Sequence, residues 1–242
     1  MLLGKKVLAV VPARSGSKGI PHKNMRMLGG RTLIGHAGAC LASLAWMDEK
    51  IISTDSQEYV EEGRRYGLSA LFLRPSHLST DNAGAVETIT HALLETEKAR
   101  GIKFDIILII EPTSPLRKPV DIESATSLLI ESGADSVVTV SILCPRSHPH
   151  KILKIQDDKL RYYTEAGQTV VARQSLDTLY WRNGICYALT RECLLTVKKI
   201  FTENTRPFVI LREIVNIDDP IDLEWAEFLL QRTEHTIIKE NG

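Results

Sequence analysis

Four stretches of this chain carry residues whose types and spacing suit the chemistry of a polyphosphate. The first is "ARSGSKGIPHKN", Ala13 to Asn24, with the cations Arg14, Lys18 and Lys23, the glycines Gly16 and Gly19, and the polar side chains Ser17 and Asn24. Glycines let backbone N–H groups approach an anion closely, and spaced cations neutralise it, so the stretch suits a triphosphate. It matches neither the GxxxxGK[ST] phosphate loop nor the GxGxxG dinucleotide turn. The second, "LRPSHLSTDNAG", places Arg74 where it can reach the same anion, with Asp81 and Ala83 beside it. Asp81 can equally cap the helix that follows. The third, "EPTSPLRKP", is stiffened by prolines and presents Glu111, Thr113, Ser114 and Arg117; a plain structural turn is its alternative. A carboxylate leaving a buried strand is costly without a partner, which weights Glu111 toward function. The fourth, "VNIDDPIDLE", bunches Asn216, Asp218, Asp219 and Asp222. Such oxygens suit Mg2+, which takes a few carboxylates plus substrate phosphates. Helix capping accounts for Asp219 and Asp222 more readily than for Asp218.

Arg173, Arg182 and Asn183 add groups suited to a substrate carboxylate, since arginine binds carboxylates in bidentate fashion. His22, His148 and His150 show no metal-ligand spacing, no GxSxG occurs, and Trp46, Trp181 and Trp225 read as packing residues.

These stretches need a scaffold that ends strands next to one another. "KVLAVVPA" and "FDIILIIEP" are continuous apolar runs, as expected of strands buried on both faces. "KIISTD", "ALFLRP", "DSVVTVS", "GICYAL", "FVIL" and "VNI" read as further strands. Helical spacing marks segments around 33–44, 57–65, 86–93, 122–129 and 194–197, and a last helix from Pro220 with Asp219 as its N-cap. Strands alternating with helices imply an α/β fold, a Rossmann-like, mostly parallel sheet with helices on both faces. Ligands in such sheets bind at the carboxyl ends of the strands, where all four stretches fall. From Ile142 to Arg182 the rhythm breaks into a hairpin-rich insertion. The expected organisation is an α/β domain of residues 1–141 and 183–242 around a small region, 142–182.

Lys plus Arg equals Asp plus Glu at 30 each, so the formal charge is zero, which argues against a nucleic-acid binder. Four cysteines with no CxxC pair read as reduced thiols of an intracellular protein. No apolar run approaches the roughly 20 residues that a membrane span needs, and the apolar N-terminus is cut short by Pro12 and Arg14. A soluble, cytoplasmic protein without membrane partners is expected.

Together the motifs resemble those of the CMP-sialic acid synthetases, the acylneuraminate cytidylyltransferases. "ARSGSKGIPHKN", "IISTD", "LRP" with "STDNA", "PTSPLR", "ARQ", "RNGICY" and "IDDPIDLEWAE" occur in the family's order over nearly the whole chain. The resemblance implies a Mg2+-dependent transfer of CMP from CTP to an acidic nine-carbon α-keto sugar, releasing pyrophosphate. Arg14, Lys18, Lys23 and Asn24 would hold the triphosphate, with Arg14, Lys23 and Asp218 in the catalytic machinery. Arg74 and the segment from Asp81 would lie by the cytidine, Arg173 by the sugar acid. Region 142–182 matches a dimerisation element of a homodimer, with Lys151 given to the partner's site. Two positions depart from the pattern: Glu111 stands where glutamine is usual, and Asn216 where the first of two aspartates is usual. The sugar is therefore open, with legionaminic, pseudaminic or eight-carbon ulosonic acids as alternatives, and a non-catalytic CTP-binding homologue is a further one.

Overall fold

The computed structural model describes residues 1–17, 19–169 and 176–240, with side chains through residue 232. The chain enters through β1 (Val7–Pro12), a strand with almost no exposed surface. A small ribbon, β2 (Met27–Leu28) and β3 (Arg31–Thr32), leads to α1 (Leu33–Ala42). Thr32 caps this helix, its Oγ1 accepting the N–H of Gly35 at 2.9 Å. β4 (Glu49–Ser53), α2 (Gln57–Arg65), α3 (Ala85–Arg100), β5 (Ile106–Ile109), α4 (Pro119–Ser132) and β6 (Ser136–Ile142) follow. Next come the hairpin β7 (Leu153–Gln156) and β8 (Lys159–Tyr162), the long β9 (Tyr180–Thr190), β10 (Thr205–Val209) and α5 (Pro220–Glu240).

Six strands form one sheet in the order β10-β6-β9-β5-β1-β4. β4, β1 and β5 are parallel, as are β6 and β10, while β9 runs antiparallel between β5 and β6. The sheet is thus mixed but mostly parallel. Alternation along β1 shows why it needs cover on both faces. Val7, Ala9 and Val11 pack with Ile34 and Leu41 of α1, Tyr59 of α2 and Ile122 of α4. Leu8 and Val10 pack on the other face with Ile89 and Leu93 of α3 and with Leu194. A third cluster joins Ile20, Leu28, Leu33, Val215, Ile217, Ala226 and Leu229. It ties the basic loop after β1 to the segment before α5, and burying one such aliphatic side chain contributes about 1.5–3 kcal/mol.

Three expectations change. "ALFLRP" is not a strand. Only Ser69 joins the sheet, through a parallel bridge to Ile51, after which the chain turns inward and the Arg74 N–H reaches the Thr54 carbonyl at 2.8 Å. "VNI" is not a strand either: the Ile217 N–H is tied to the Thr113 carbonyl at 2.7 Å, a loop-to-loop link in place of a ladder. The helix expected through Leu194 is a single π-helical turn, Cys193–Val197, ended by Lys198 with φ 55°. Between Ile142 and Tyr180, which pair in register, the chain leaves the sheet to form the β7–β8 hairpin.

Candidate active site

The carboxyl ends of β1, β4 and β5 open into a cleft of about 470 Å³. Arg14, Ser17, Gly19, Lys23 and Asn24 line one wall, Arg74, Thr80, Asp81, Ala83 and Thr88 another, and Glu111, Pro112, Thr113 and Asp218 close it. Residues from 12 to 218 therefore meet at one sheet edge, where a parallel sheet places ligands.

The basic loop is held by its neighbours. Ser15 donates its N–H and its hydroxyl to the Asp55 carboxylate, both at 2.9 Å. Asn24 is buried and donates its amide to the Arg14 carbonyl at 3.1 Å. Asn24 thus shapes the loop while lining the cleft. A Cβ on Gly19 would lie 3.0 Å from the Asp218 carbonyl oxygen, so a bare α-carbon is what lets the loop approach the segment before α5. That segment is fixed in turn by Asp222, whose Oδ2 accepts the N–H groups of Asp218 (2.9 Å) and Asp219 (2.8 Å) at the start of α5. Of the two carboxylates expected to cap this helix, Asp222 supplies the side-chain bonds, while Asp219, expected as the N-cap, takes part through its backbone N–H.

Each described cation of the loop faces a carboxylate. Arg14 Nη1 lies 2.5 Å from Asp81 Oδ1, and Lys23 Nζ lies 2.9 Å from Asp218 Oδ1. Asp81 is therefore an ion-pair partner across the cleft; the N-cap position of α3 belongs to Gly84. Arg74 is different. It is buried, burial pushes its pKa down, and its Nε and Nη2 have no hydrogen-bond partner among the described residues. Asp55 offsets part of its charge through space, but a buried guanidinium with two unpartnered nitrogens is costly in the free protein and is suited to an anionic or carbonyl-bearing ligand. Asp55 is a site residue that the sequence reading passed over; it ends "KIISTD", at a strand's carboxyl end, which was the available signal.

The "EPTSPLR" loop divides into a ligand-facing and a supporting half. Ser114 is buried and donates to the Asn183 carbonyl at 2.5 Å. Asn183 is itself buried, with its amide donating to Ser141 Oγ at 3.0 Å and its Oδ1 accepting from Thr139 at 2.7 Å. Arg117 is buried as well, its guanidinium spent on the carbonyls of Glu111 and Ile185. Ser114, Arg117 and Asn183 were expected to touch substrate. None lines the cleft: they lock the loop onto β9 through interior backbone and side-chain partners, although Arg117 Nη1 has no partner among the described residues. Lys151 lies in the 142–182 region, is exposed and does not line the cleft. Lys18 and Arg173 lie outside the described residues.

Glu111 does reach the cleft. Burial raises its pKa, opposed by hydrogen bonds from the Tyr187 hydroxyl and the Asn216 amide, the latter at 3.4 Å. Gly184, with φ +70°, packs beneath it, and a Cβ there would overlap Glu111 Oε2 and lie 2.6 Å from Ser114 Oγ. The side-chain oxygen of Asn216, Oδ1, is buried without a partner among the described residues. Tyr187 and Gly184 were not singled out from sequence, since one side chain and one missing side chain inside "RNGICY" show no chemistry until folded.

These oxygens bear on a metal. Among the described residues no cluster of three His, Cys, Asp or Glu side chains is assembled. Asp218 at the cleft, the unpartnered Oδ1 of Asn216 and the Glu111 carboxylate are nevertheless hard oxygen donors beside a polyanion-sized cleft. That donor set fits Mg2+, which completes its shell with substrate phosphates and water.

The mostly parallel sheet, with a basic loop after its first strand and a cleft at its strand ends, is that of a nucleotidyltransferase. The chain belongs to the cytidylyltransferase family, whose sequence model matches residues 8–240. It is 30% identical over 235 residues to the CMP-N,N'-diacetyllegionaminic acid synthase of Legionella pneumophila, covering 96% of this chain and all of that one. It is 30% identical over 210 residues to an N-acylneuraminate cytidylyltransferase of Streptococcus agalactiae, covering 86% of this chain but only 49% of the longer relative. Its fold is similar to that of a CMP:2-keto-3-deoxy-manno-octonic acid synthetase solved with CTP, with a TM-score of 0.70 at 17% identity over 94% of this chain and 99% of that one. No helix among the described residues is long and apolar enough to cross a membrane.

Proposed function

We propose that the protein transfers CMP from CTP to the anomeric hydroxyl of a sialic-acid-like nonulosonic acid. The observation that carries this reading is the cleft itself, where Arg14, Lys23 and the unpartnered Arg74 converge at the carboxyl ends of β1, β4 and β5. The hydroxyl oxygen attacks the α-phosphorus, the bond from that phosphorus to the α–β bridging oxygen breaks, and pyrophosphate leaves; the hydroxyl proton is lost to solvent or a base. Arg14 and Lys23 exchange Asp81 and Asp218 for phosphate oxygens and neutralise the charge that develops on the leaving group. Arg74 exchanges an unsatisfied buried state for a ligand acceptor, so part of CTP binding comes from relief of that penalty. Asp218 and Asn216 would hold Mg2+, which when bound would supply charge neutralisation at the triphosphate.

Relatives named for legionaminic, neuraminic and pseudaminic acids share between 26% and 30% identity with this chain, so another acid sugar fits the reading equally well. Region 142–182 supports a homodimer: β7 and β8 expose Leu153, Ile155, Leu160 and Tyr162, an apolar surface that a second copy would bury while bringing Lys151 to the partner's cleft. A cytoplasmic location agrees with the free cysteines among the described residues. Pyrophosphate release measured with CTP, Mg2+ and a panel of acid sugars tests the proposal; no release with any sugar would defeat it.

A further inference from the structure

We infer that Glu111 supplies the negative charge that Asn216 lacks, so that the metal site is assembled across the Glu111–Asn216 contact. This rests on the cytidylyltransferase reading above. Asn216 Nδ2 lies 3.4 Å from Glu111 Oε2, so the two positions that depart from the resemblance's pattern touch each other. Glu111 is half-buried, and its carboxylate's hydrogen-bond partners, Asn216 and Tyr187, are both neutral. The buried Arg117 hydrogen-bonds the Glu111 backbone carbonyl, and Arg117 and Arg182 attract the carboxylate through space without a hydrogen bond to it. A buried carboxylate is ordinarily paired with a cation or bound to a metal. Here no cation hydrogen-bonds it among the described residues, and the group lines the same cleft as Asp218. Beside it, Asn216 Oδ1 is a buried oxygen with no donor among the described residues. Gly184 leaves the space in which the Glu111 carboxylate sits; any side chain there would collide with Oε2.

A Mg2+ at this point would draw on Asp218, the Asn216 carbonyl oxygen and Glu111, giving two carboxylates and one neutral oxygen before substrate phosphates join. That is the charge a hard divalent ion at a triphosphate takes from protein. Without the ion, the Glu111 carboxylate repels the same triphosphate, and this opposition of signs separates a metal ligand from a structural group.

The test is calorimetric titration of CTP, with no acceptor sugar present, in excess Mg2+ and in EDTA. The ratio of the two affinities reports coupling between metal and nucleotide, which is reciprocal. Glu111→Gln, which keeps the shape, should lower this ratio at least about tenfold while CTP affinity in EDTA holds or rises, given the charge-charge energies at such separations. Glu111→Gln/Asn216→Asp, which moves the carboxylate across the contact, should restore it. Asn216→Asp alone should raise the ratio above wild type, which keeps the idea testable if Glu111→Gln folds poorly. The inference is overturned if Glu111→Gln keeps the wild-type ratio, even with turnover lost, since Glu111 would then act on the acceptor. Loss of CTP affinity in both media, or no recovery in the double variant, overturns it too. Wild-type protein that binds CTP in neither medium would defeat the cytidylyltransferase reading itself.

Discussion

Gly184→Ala probes the floor of the cleft with a single methyl group. Gly184 sits at φ +70°, where an L side chain costs about 1–2 kcal/mol. Its Cβ would overlap Glu111 Oε2 and lie 2.6 Å from Ser114 Oγ and 3.1 Å from Asn216 Nδ2. Ser114 cannot give way easily, since it is buried and bonded to the Asn183 carbonyl. Crowding of this kind adds about 1–3 kcal/mol, so a total loss near 3 kcal/mol is expected. In a chain of this length that lowers Tm by roughly 6–12 °C. Gly101→Ala is the control: Gly101 has φ +67° and nothing within 4 Å of its Cβ, so it carries backbone strain alone. Scanning calorimetry of both variants separates strain from crowding. If Gly184→Ala melts no lower than Gly101→Ala, the packing of Glu111, Ser114 and Asn216 against Gly184 is wrong.

Arg14→Ala should lower turnover of CTP at least about 100-fold, near 2.7 kcal/mol, in a steady-state pyrophosphate assay; near-wild-type turnover would remove Arg14 from the machinery. Asp218→Ala should abolish Mg2+-dependent activity, and wild-type protein in EDTA should lose it as well; retained activity in the variant places the metal elsewhere. Arg74→Met should weaken CTP binding while raising the melting temperature of the ligand-free protein, because it removes a buried guanidinium with two unpartnered nitrogens; a drop in both would mark Arg74 as structural. Glu97 supplies the pH dependence. Burial would raise its pKa, but hydrogen bonds from Arg191, the Phe104 N–H and Lys103 outweigh that and lower it. A lowered folded pKa contributes stability above the ordinary carboxylate value that is lost as pH falls through the folded value. Glu97→Gln should therefore be less stable than wild type at pH 7, with the gap closing on acidification; a gap constant down to pH 3 would contradict this.

The parts of the fold legible in sequence were those with a long, uniform signal. The apolar runs of β1 and β5 read as strands covered on both faces, and the strand-end rule then put Arg14 and Glu111 in one cleft; Arg74 and Asp218 reach it as well, but from loops in place of the strands expected before them. "ALFLRP" and "VNI" failed because apolar composition does not specify a ladder partner: each segment makes a single tie to its neighbour and then turns to serve the site. The antiparallel direction of β9 was not readable, since a residue run carries no sign of direction. Ser114, Arg117 and Asn183 look like ligand-binding residues by type, and only the interior partners that occupy their polar groups show them to be supports. The contact between Glu111 and Asn216 spans 105 positions of sequence and emerges only from folding.

The account stands most directly on pyrophosphate release. Purified protein with Mg2+ should be given each of the four nucleoside triphosphates together with neuraminic, legionaminic, pseudaminic and eight-carbon ulosonic acids. The account predicts release with CTP and at least one of these acids, and none when the sugar is left out. Release with a different nucleotide, or none with any acid while CTP still binds, would contradict it.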